Sequence, residues 1–470
     1  MTGEPWLGDA CSLVDALRAG TISPSEALEG SLAAVEASSL NAVCFVDEER
    51  AREAAASADV SLPFGGVPIG VKELDPVRGW PQTEASLVFE DRICEYDGTM
   101  TARLRGAGAV LVGQTTASEF GGINCTYTRL HGATSNPYDL ERTPGGSSGG
   151  SAASVAGGLL PLCTGGDGGG SIRIPAGFTG LFGLKSTFGR IPKGPRTEIE
   201  PLTAVLGCVS RSVRDTARWF DVCNGHDEYD PFSLPRVGGW EAGLGQQHLR
   251  GKRVAVSVDL GAAVVAAAVR AKVEQAADHL IEDAGLQRVD VPIALPRGGL
   301  EWALAGTASL LVGLGDLYPA CESQLTPEIM LAANIATNHY DIETAKNIEA
   351  FRRQLIVAMA QVFEQVDFVV CATNPDVAFG AKGPMPTIVD GVDLTAELGF
   401  EAALGNNGAL TIPANTTGHP AVAIPVGLVD GLPVSMQIIG RRHAEQLLLD
   451  LARIVELERP WPLVAPGAPT

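Results

Sequence analysis

No Cys-x-x-Cys pair occurs anywhere in this 470-residue chain. That absence removes the thioredoxin-like and zinc-ribbon classes. The nine cysteines (11, 44, 94, 125, 163, 208, 223, 321 and 371) are scattered and odd in number. In so long a chain they do not make a disulfide scaffold, and the expectation is buried free thiols in a reducing compartment. Basic residues are scarce: 34 Lys and Arg stand against 55 Asp and Glu, a net charge of −21. Nucleic acids and anionic membranes need basic patches, so neither is expected as a partner. No uninterrupted apolar run approaches the ~20 residues of a membrane span. The start, Met-Thr-Gly-Glu-Pro-Trp-Leu-Gly-Asp, is acidic and lacks an apolar leader segment, so the reading expects a cytoplasmic protein. Nothing in the chain calls for a metal or a cofactor.

Glycine is what the chain has in quantity, 56 residues in all. Eleven of them lie between Gly145 and Gly170. The first cluster reads Pro-Gly-Gly-Ser-Ser-Gly-Gly-Ser (144–151). The second reads Gly-Gly-Asp-Gly-Gly-Gly-Ser-Ile-Arg-Ile-Pro (165–175). Glycine allows positive φ and close backbone approach at an entropic cost. Such a concentration marks a place where backbone amides face a ligand.

Strand-like and helix-like stretches alternate along the rest of the chain, which predicts an α/β layered fold with a mixed or mainly parallel sheet. Two helices are expected over 8–37, the second opened by Ser23-Pro24-Ser25-Glu26 with a capping-box pattern. Strands are expected at 41–47, 66–72, 109–113, 180–185, 253–258, 287–291, 368–373, 421–426 and 434–439. Helices are expected at 48–58, 101–107, 212–223, 262–284 and 444–456. Residues 115–136 read as a polar loop, of the long kind that is often functional. The stretches 225–247 and 374–393 read as insertions, so the chain is taken as one domain over 1–470.

Three residues could carry chemistry. Gly145-x-Ser147-x-Gly149 fits the nucleophile-elbow pattern, which requires a histidine downstream; His419, in Thr-Gly-His-Pro, is the best placed of those available. Neither glycine cluster is a P-loop, because no Gly-Lys-Ser/Thr follows it. Ser171 follows Gly168-Gly169-Gly170, whose amides can form a nest around one oxygen. Its apolar continuation, Ile172-Arg173-Ile174-Pro175, argues against a flexible surface tip. Without a histidine, a buried lysine of lowered pKa can act as the base. Lys72 ends an apolar strand, where open α/β sheets place their ligands.

Lys72 in Gly-Val-Pro-Ile-Gly-Val-Lys, with Ser147 and Ser171 in the two clusters at separations of 75 and 24 residues, resembles the amidase signature family. Further matches are Gly113-Gln114-Thr115, Glu119-Phe120-Gly121, Gly132 to Pro137, Gly183-Leu184-Lys185, Asn415 to Gly427, and Gly431-Leu432-Pro433 with Gln437. The resemblance implies a central twisted mixed β-sheet covered by helices on both faces, with a signature core at about 65–225 and the rest of the same sheet at about 250–460. It implies that Ser171 is the nucleophile, that Ser147 follows a cis peptide and relays protons, and that Lys72 is the base. Gly168, Gly169 and Gly170, with the Ser171 amide, would hold the oxyanion. Ser148, Asp167 and Arg173 would support the loop, and Gly121, Gly122, Ile123, Asn124 and Cys125 would line the acyl pocket.

The implied activity is hydrolysis of a small-molecule amide, anilide, carbamate or ω-amino-acid amide through an acyl-enzyme, with esterase side activity. The enzyme would be a monomer or homodimer without cofactor or metal. Two further readings are one component of a glutamine-dependent tRNA amidotransferase and a histidine-dependent esterase; a third is a non-enzymatic binder. The chain departs from the family pattern at Glu73, Gly166, Gly168 and residues 123–128. Residues 296–341 and 374–407 should cover the pocket mouth.

Overall fold

The computed structural model describes residues 4–196 and 201–470. Its strands are β1 (Val43–Val46), β2 (Pro68–Lys72), β3 (Val110–Thr115), β4 (Tyr127–Thr128), β5 (Gly132–Ala133), β6 (Leu162–Asp167), β7 (Phe182–Lys185), β8 (Val205–Ser210), β9 (Arg253–Val256), β10 (Gln287–Arg288), β11 (Phe368–Ala372), β12 (Ile388–Val389), β13 (Val392–Asp393), β14 (Ala421–Val429) and β15 (Leu432–Gly440). Eleven of them form one sheet in the order β1-β3-β2-β6-β8-β7-β14-β15-β11-β9-β10. Pairing is parallel at β2–β3, β2–β6, β9–β11 and β9–β10 and antiparallel elsewhere in that sheet. The sheet is therefore mixed, and it draws strands from both halves of the chain.

Side chains alternate across a strand, so neighbours in sequence serve opposite faces. Leu111, Leu162, Cys208 and Val422 belong to one apolar cluster, with the helices Ala10–Arg18, Val213–Cys223, Ala267–Ala284 and Glu445–Glu458. Val110, Val112, Cys163, Val209 and Ala423 belong to another, with the helices Pro24–Ala37, Glu48–Ala56 and Gly149–Ala156. Both faces of the sheet are thus covered, which explains why its central strands read as continuous apolar runs. On β2, Ile69 and Val71 serve the first face. Gly70 serves the second, where a Cβ would lie 2.7 Å from Cys163 Sγ.

Local signals explain the helix ends. Ser23 and Glu26 form the reciprocal capping box, with Pro24 at the first turn, a cap of about 1 kcal/mol. Ser212 caps the helix Val213–Cys223 through the Asp215 N–H.

The structure corrects several expectations. Residues 115–136 are not a plain loop: they hold the 3-10 turn Glu119–Gly121 and the β4–β5 hairpin. The end of the first glycine cluster and the small residues after it form the helix Gly149–Ala156, all eight residues of it buried. A helix buried on every side shows no amphipathic period. β8 lies in a stretch assigned no element. The alanine-rich helix starts at Ala267, five residues later than expected, after Ala266 in extended conformation. Residues 296–341 contain the helices Leu300–Leu314 and Pro327–His339, and the helix Ile342–Gln365 follows. Among the described residues, Leu300–Leu317 is the one helical stretch apolar and long enough to cross a membrane, with mean hydropathy 1.2 and 17% of it buried.

Candidate active site

Lys72 ends β2, whose five residues are all buried. It shares the Gly70 face, so its amine points towards the start of the helix Gly149–Ala156. The Lys72 backbone N–H donates to Thr164 Oγ1 at 2.8 Å. Its Nζ donates to Ser147 Oγ at 2.7 Å and to Ser148 Oγ at 3.0 Å. Burial drives the Lys72 amine down to about 8, against the pull of the Asp75 and Asp167 carboxylates. The Gly146–Ser147 peptide is cis. Two glycines make this turn possible. Gly145 has φ +90°, and a Cβ on Gly146 would lie 2.7 Å from Cys125 N and Ile123 O.

Ser171 lies beyond the end of β6, just before the helix Arg173–Thr179. Among the described residues its hydroxyl makes no hydrogen bond. The loop before it is held by a buried charge pair. Arg173 donates from Nε to Asp167 Oδ2 and from NH2 to Asp167 Oδ1, both at 2.9 Å. Both side chains are wholly buried. Such a pair is tolerated because every polar atom finds partners. Arg173 also donates to Thr411 O, Gln437 Oε1 and Asn415 Oδ1. Burial pushes the Asp167 carboxyl upward, but Arg173, Lys185 and Asn415 outweigh it and hold the group below the usual carboxylate range.

The glycine amides are not equivalent. Gly170 N–H donates to Asp167 Oδ1 at 2.8 Å. This departs from the nest of three glycine donors: the carboxylate that fixes the loop consumes one of them. The Gly168, Gly169 and Ser171 N–H groups have no acceptor among the described residues. Their peptide planes are fixed from outside. Gly168 O accepts from Trp302 Nε1 at 2.9 Å, and Gly169 O from Thr411 Oγ1 at 2.6 Å. A Cβ at Gly169 would lie 2.5 Å from the Trp302 ring.

The 121–125 segment borders the same site. A Cβ on Gly121 would lie 3.3 Å from Ser147 Oγ, and one on Gly122 2.4 Å from Ile329 Cδ1. Ile123 O accepts from Ser118 Oγ, and Asn124 Nδ2 donates to Asn407 O at 3.4 Å. Cys125 is buried and its thiol is pushed up to about 11 by burial, which makes it inert. Segments 296–341 and 374–407 thus both reach the site, through Trp302, Ile329 and Asn407. The sequence carries no signal that marks Trp302, Ile329, Thr411 or Thr164. A tryptophan in a helix does not announce a partner 134 residues away.

The other candidate residues lie apart. His419 Nδ1 pairs with Thr417 Oγ1 at 2.7 Å, and its ring stacks on Phe363 at 4.7 Å. Burial lowers it to about 3, so the ring stays neutral. Glu73 turns to Ala117 N, Thr83 Oγ1 and His131.

The family model described as Amidase matches residues 26–449 of this chain. A glutamyl-tRNA(Gln) amidotransferase subunit from Latilactobacillus sakei subsp. sakei (strain 23K) is 31% identical over 471 residues, covering 93% of each chain. A bacterial aryl acylamidase belonging to the amidase signature enzymes superposes with a TM-score of 0.89 at 27% identity, covering 97% of both chains. The 6-aminohexanoate cyclic dimer hydrolase complexed with substrate superposes with a TM-score of 0.88 at 28% identity, covering 99% of this chain and 100% of its own.

Proposed function

Because this chain belongs to the amidase signature family, hydrolases of amide C–N bonds, we propose that it is a self-sufficient amidase with Ser171 as nucleophile, Ser147 as relay and Lys72 as base. One observation carries the reading: a buried lysine amine hydrogen-bonded at 2.7 Å to the hydroxyl of a serine that follows a cis peptide.

In this mechanism neutral Lys72 takes the Ser147 proton while Ser147 takes that of Ser171. Ser171 Oγ attacks the amide carbonyl, and the Gly168, Gly169 and Ser171 N–H groups receive the developing negative charge. Donors already oriented cost nothing to reorganise, and each is typically worth about 3–4 kcal/mol. The relay runs backwards to protonate the leaving amine. It then activates water against the acyl-enzyme. Arg173 and Asp167 take no part in proton transfer; they hold the loop in shape.

Trp302 and Ile329 stand over the glycine loop and the 121–122 turn. That apolar cover favours substrates with an aryl or alkyl group, acting as single small molecules on a monomer or homodimer. A panel of p-nitroanilides, aliphatic amides, carbamates and nitrophenyl esters tests this. Turnover of aryl or alkyl amides is expected, with a fall of at least about 10⁴-fold in Ser171→Ala, of the order seen when nucleophiles are removed. Activity persisting in that variant refutes the assignment.

The amidotransferase reading draws support from the 31% identical relative. Including glutamine in the panel separates the two. Hydrolysis of glutamine without turnover of the aryl and alkyl amides would favour a component that works in a complex.

A further inference from the structure

The cysteine spacing excludes a zinc module in sequence, yet the fold assembles a mixed ligand set from three distant segments. Cys44, Glu73 and His131 bring one ligand atom each to within 4.8 Å of the others. A single ion at 2.0–2.3 Å from each atom needs separations of roughly 3.3–3.8 Å, so side-chain rotation of about an ångström closes the set.

Each residue is aimed by its own local structure. β1 is an edge strand of the large sheet, and its pairing with β3 slips between Val43 and Phe45. Cys44 is the extra residue of that bulge, and bulges re-aim side chains. The residue as a whole is half-buried, but its thiol lies inward, donates to Gln114 O at 3.5 Å and is pushed up by burial and by the Glu73 carboxylate, so an ion must displace that proton. Glu73 follows the end of β2, and its carboxylate is oriented from behind. Ala117 N–H donates to Oε1 at 2.6 Å, and Thr83 Oγ1 donates to Oε2 at 3.1 Å. Metal-binding carboxylates are held in this way. His131 sits in the β4–β5 turn, where its N–H donates to Thr128 Oγ1 and its carbonyl accepts from Asn41 Nδ2. Its Nε2 lies 2.9 Å from Glu73 Oε2, and the ring is partly open to solvent.

We propose that Cys44, Glu73 and His131 bind a single Zn²⁺-class ion at the sheet edge beside the start of the active site. A thiolate, an imidazole and a carboxylate are the donors that select Zn²⁺ or Co²⁺ over Mg²⁺ or Ca²⁺. Three protein ligands leave a fourth position to water. Binding displaces the His131–Glu73 hydrogen bond and releases the Cys44 thiol proton to solvent.

The test titrates the intact chain, first dialysed against a chelator, with Co²⁺. One Co²⁺ per chain is expected, with a thiolate-to-cobalt charge-transfer absorption. That absorption should vanish in Cys44→Ser, and affinity should fall at least about tenfold in His131→Ala. Circular dichroism checks that both variants fold. Absence of stoichiometric Co²⁺ binding, or an absorption that survives Cys44→Ser, overturns the proposal.

Discussion

Two lysines sit buried at the ends of sheet strands, Lys72 on β2 and Lys185 on β7, and their surroundings differ in nearby charge and in the atoms their amines face. Burial lowers Lys72 to about 8. Burial lowers Lys185 to about 7, where the Arg173 charge pushes the same way. Both amines are therefore available in neutral form near physiological pH. Lys72 Nζ faces the two hydroxyls of Ser147 and Ser148. Lys185 Nζ donates to Ser186 O at 2.8 Å, a backbone carbonyl with no proton to yield. Desolvation supplies a neutral amine in either place, and the partner atom decides whether it can do acid–base work. By these values alone, Lys185 would hold the larger neutral fraction near neutral pH.

The largest expected effect breaks this pair apart directly. Lys72→Met should lower kcat about 10²–10⁴-fold, the range of a lost general base. Circular dichroism should show it folded with a somewhat lower melting temperature, because the Ser147 and Ser148 hydroxyls lose the bonds from the amine. Lys185→Met should stay within about tenfold of wild type, since it removes no relay atom. Equal collapse of activity in two folded variants would end the distinction.

The next effect sharpens it. If neutral Lys72 is the base, protonation silences the enzyme. In metal-free buffer kcat/KM should fall about tenfold per pH unit below about 8 and level off above it. In Lys185→Met the limb should remain at the same pH. A limb that disappears with Lys185 would mean that the other amine is the one being titrated.

Which parts were legible in the sequence follows from how local their constraints are. Gly145, Gly146 and Ser147 could be read because one short turn demands that series of residues. Lys72 could be read because its strand-end motif, 75 residues before Ser147, resembles the amidase signature; alone, a strand-end lysine looks like a solvated cap. The charge pair of Asp167 and Arg173 spans only six residues. Trp302 and Thr411, which fix the Gly168 and Gly169 carbonyls, come from 134 and 242 residues away. No periodicity announces them. Counting glycines placed Gly170 among the donors, because a count does not reveal that Asp167 takes that amide. The helix Gly149–Ala156 lacked a polar face to give it away. The elbow pattern at Ser147 pointed to His419, which the fold seals against Phe363.

The smallest effect concerns the second hydroxyl on Lys72. Ser148 precedes the helix Gly149–Ala156, and its Oγ lies 3.3 Å from both the N and the O of Gly166. Its hydroxyl ties the lysine to the β6 strand, while its backbone N–H donates to Ser171 O at 3.3 Å and is kept in an alanine variant. Ser148→Ala leaves the path from Lys72 through Ser147 intact but removes one acceptor of the amine. A hydrogen bond to a charged group is worth about 1.5–3 kcal/mol when removed, so kcat should fall roughly tenfold. The sign of the pH change is also fixed. The lost acceptor stabilises the ammonium form more than the neutral amine, so the acid limb should move to lower pH. Steady-state kinetics across pH measure both. A loss as large as that of Lys72→Met would mean that protons pass through Ser148. A limb that moves upward would mean that Ser148 opposes the charge on Lys72.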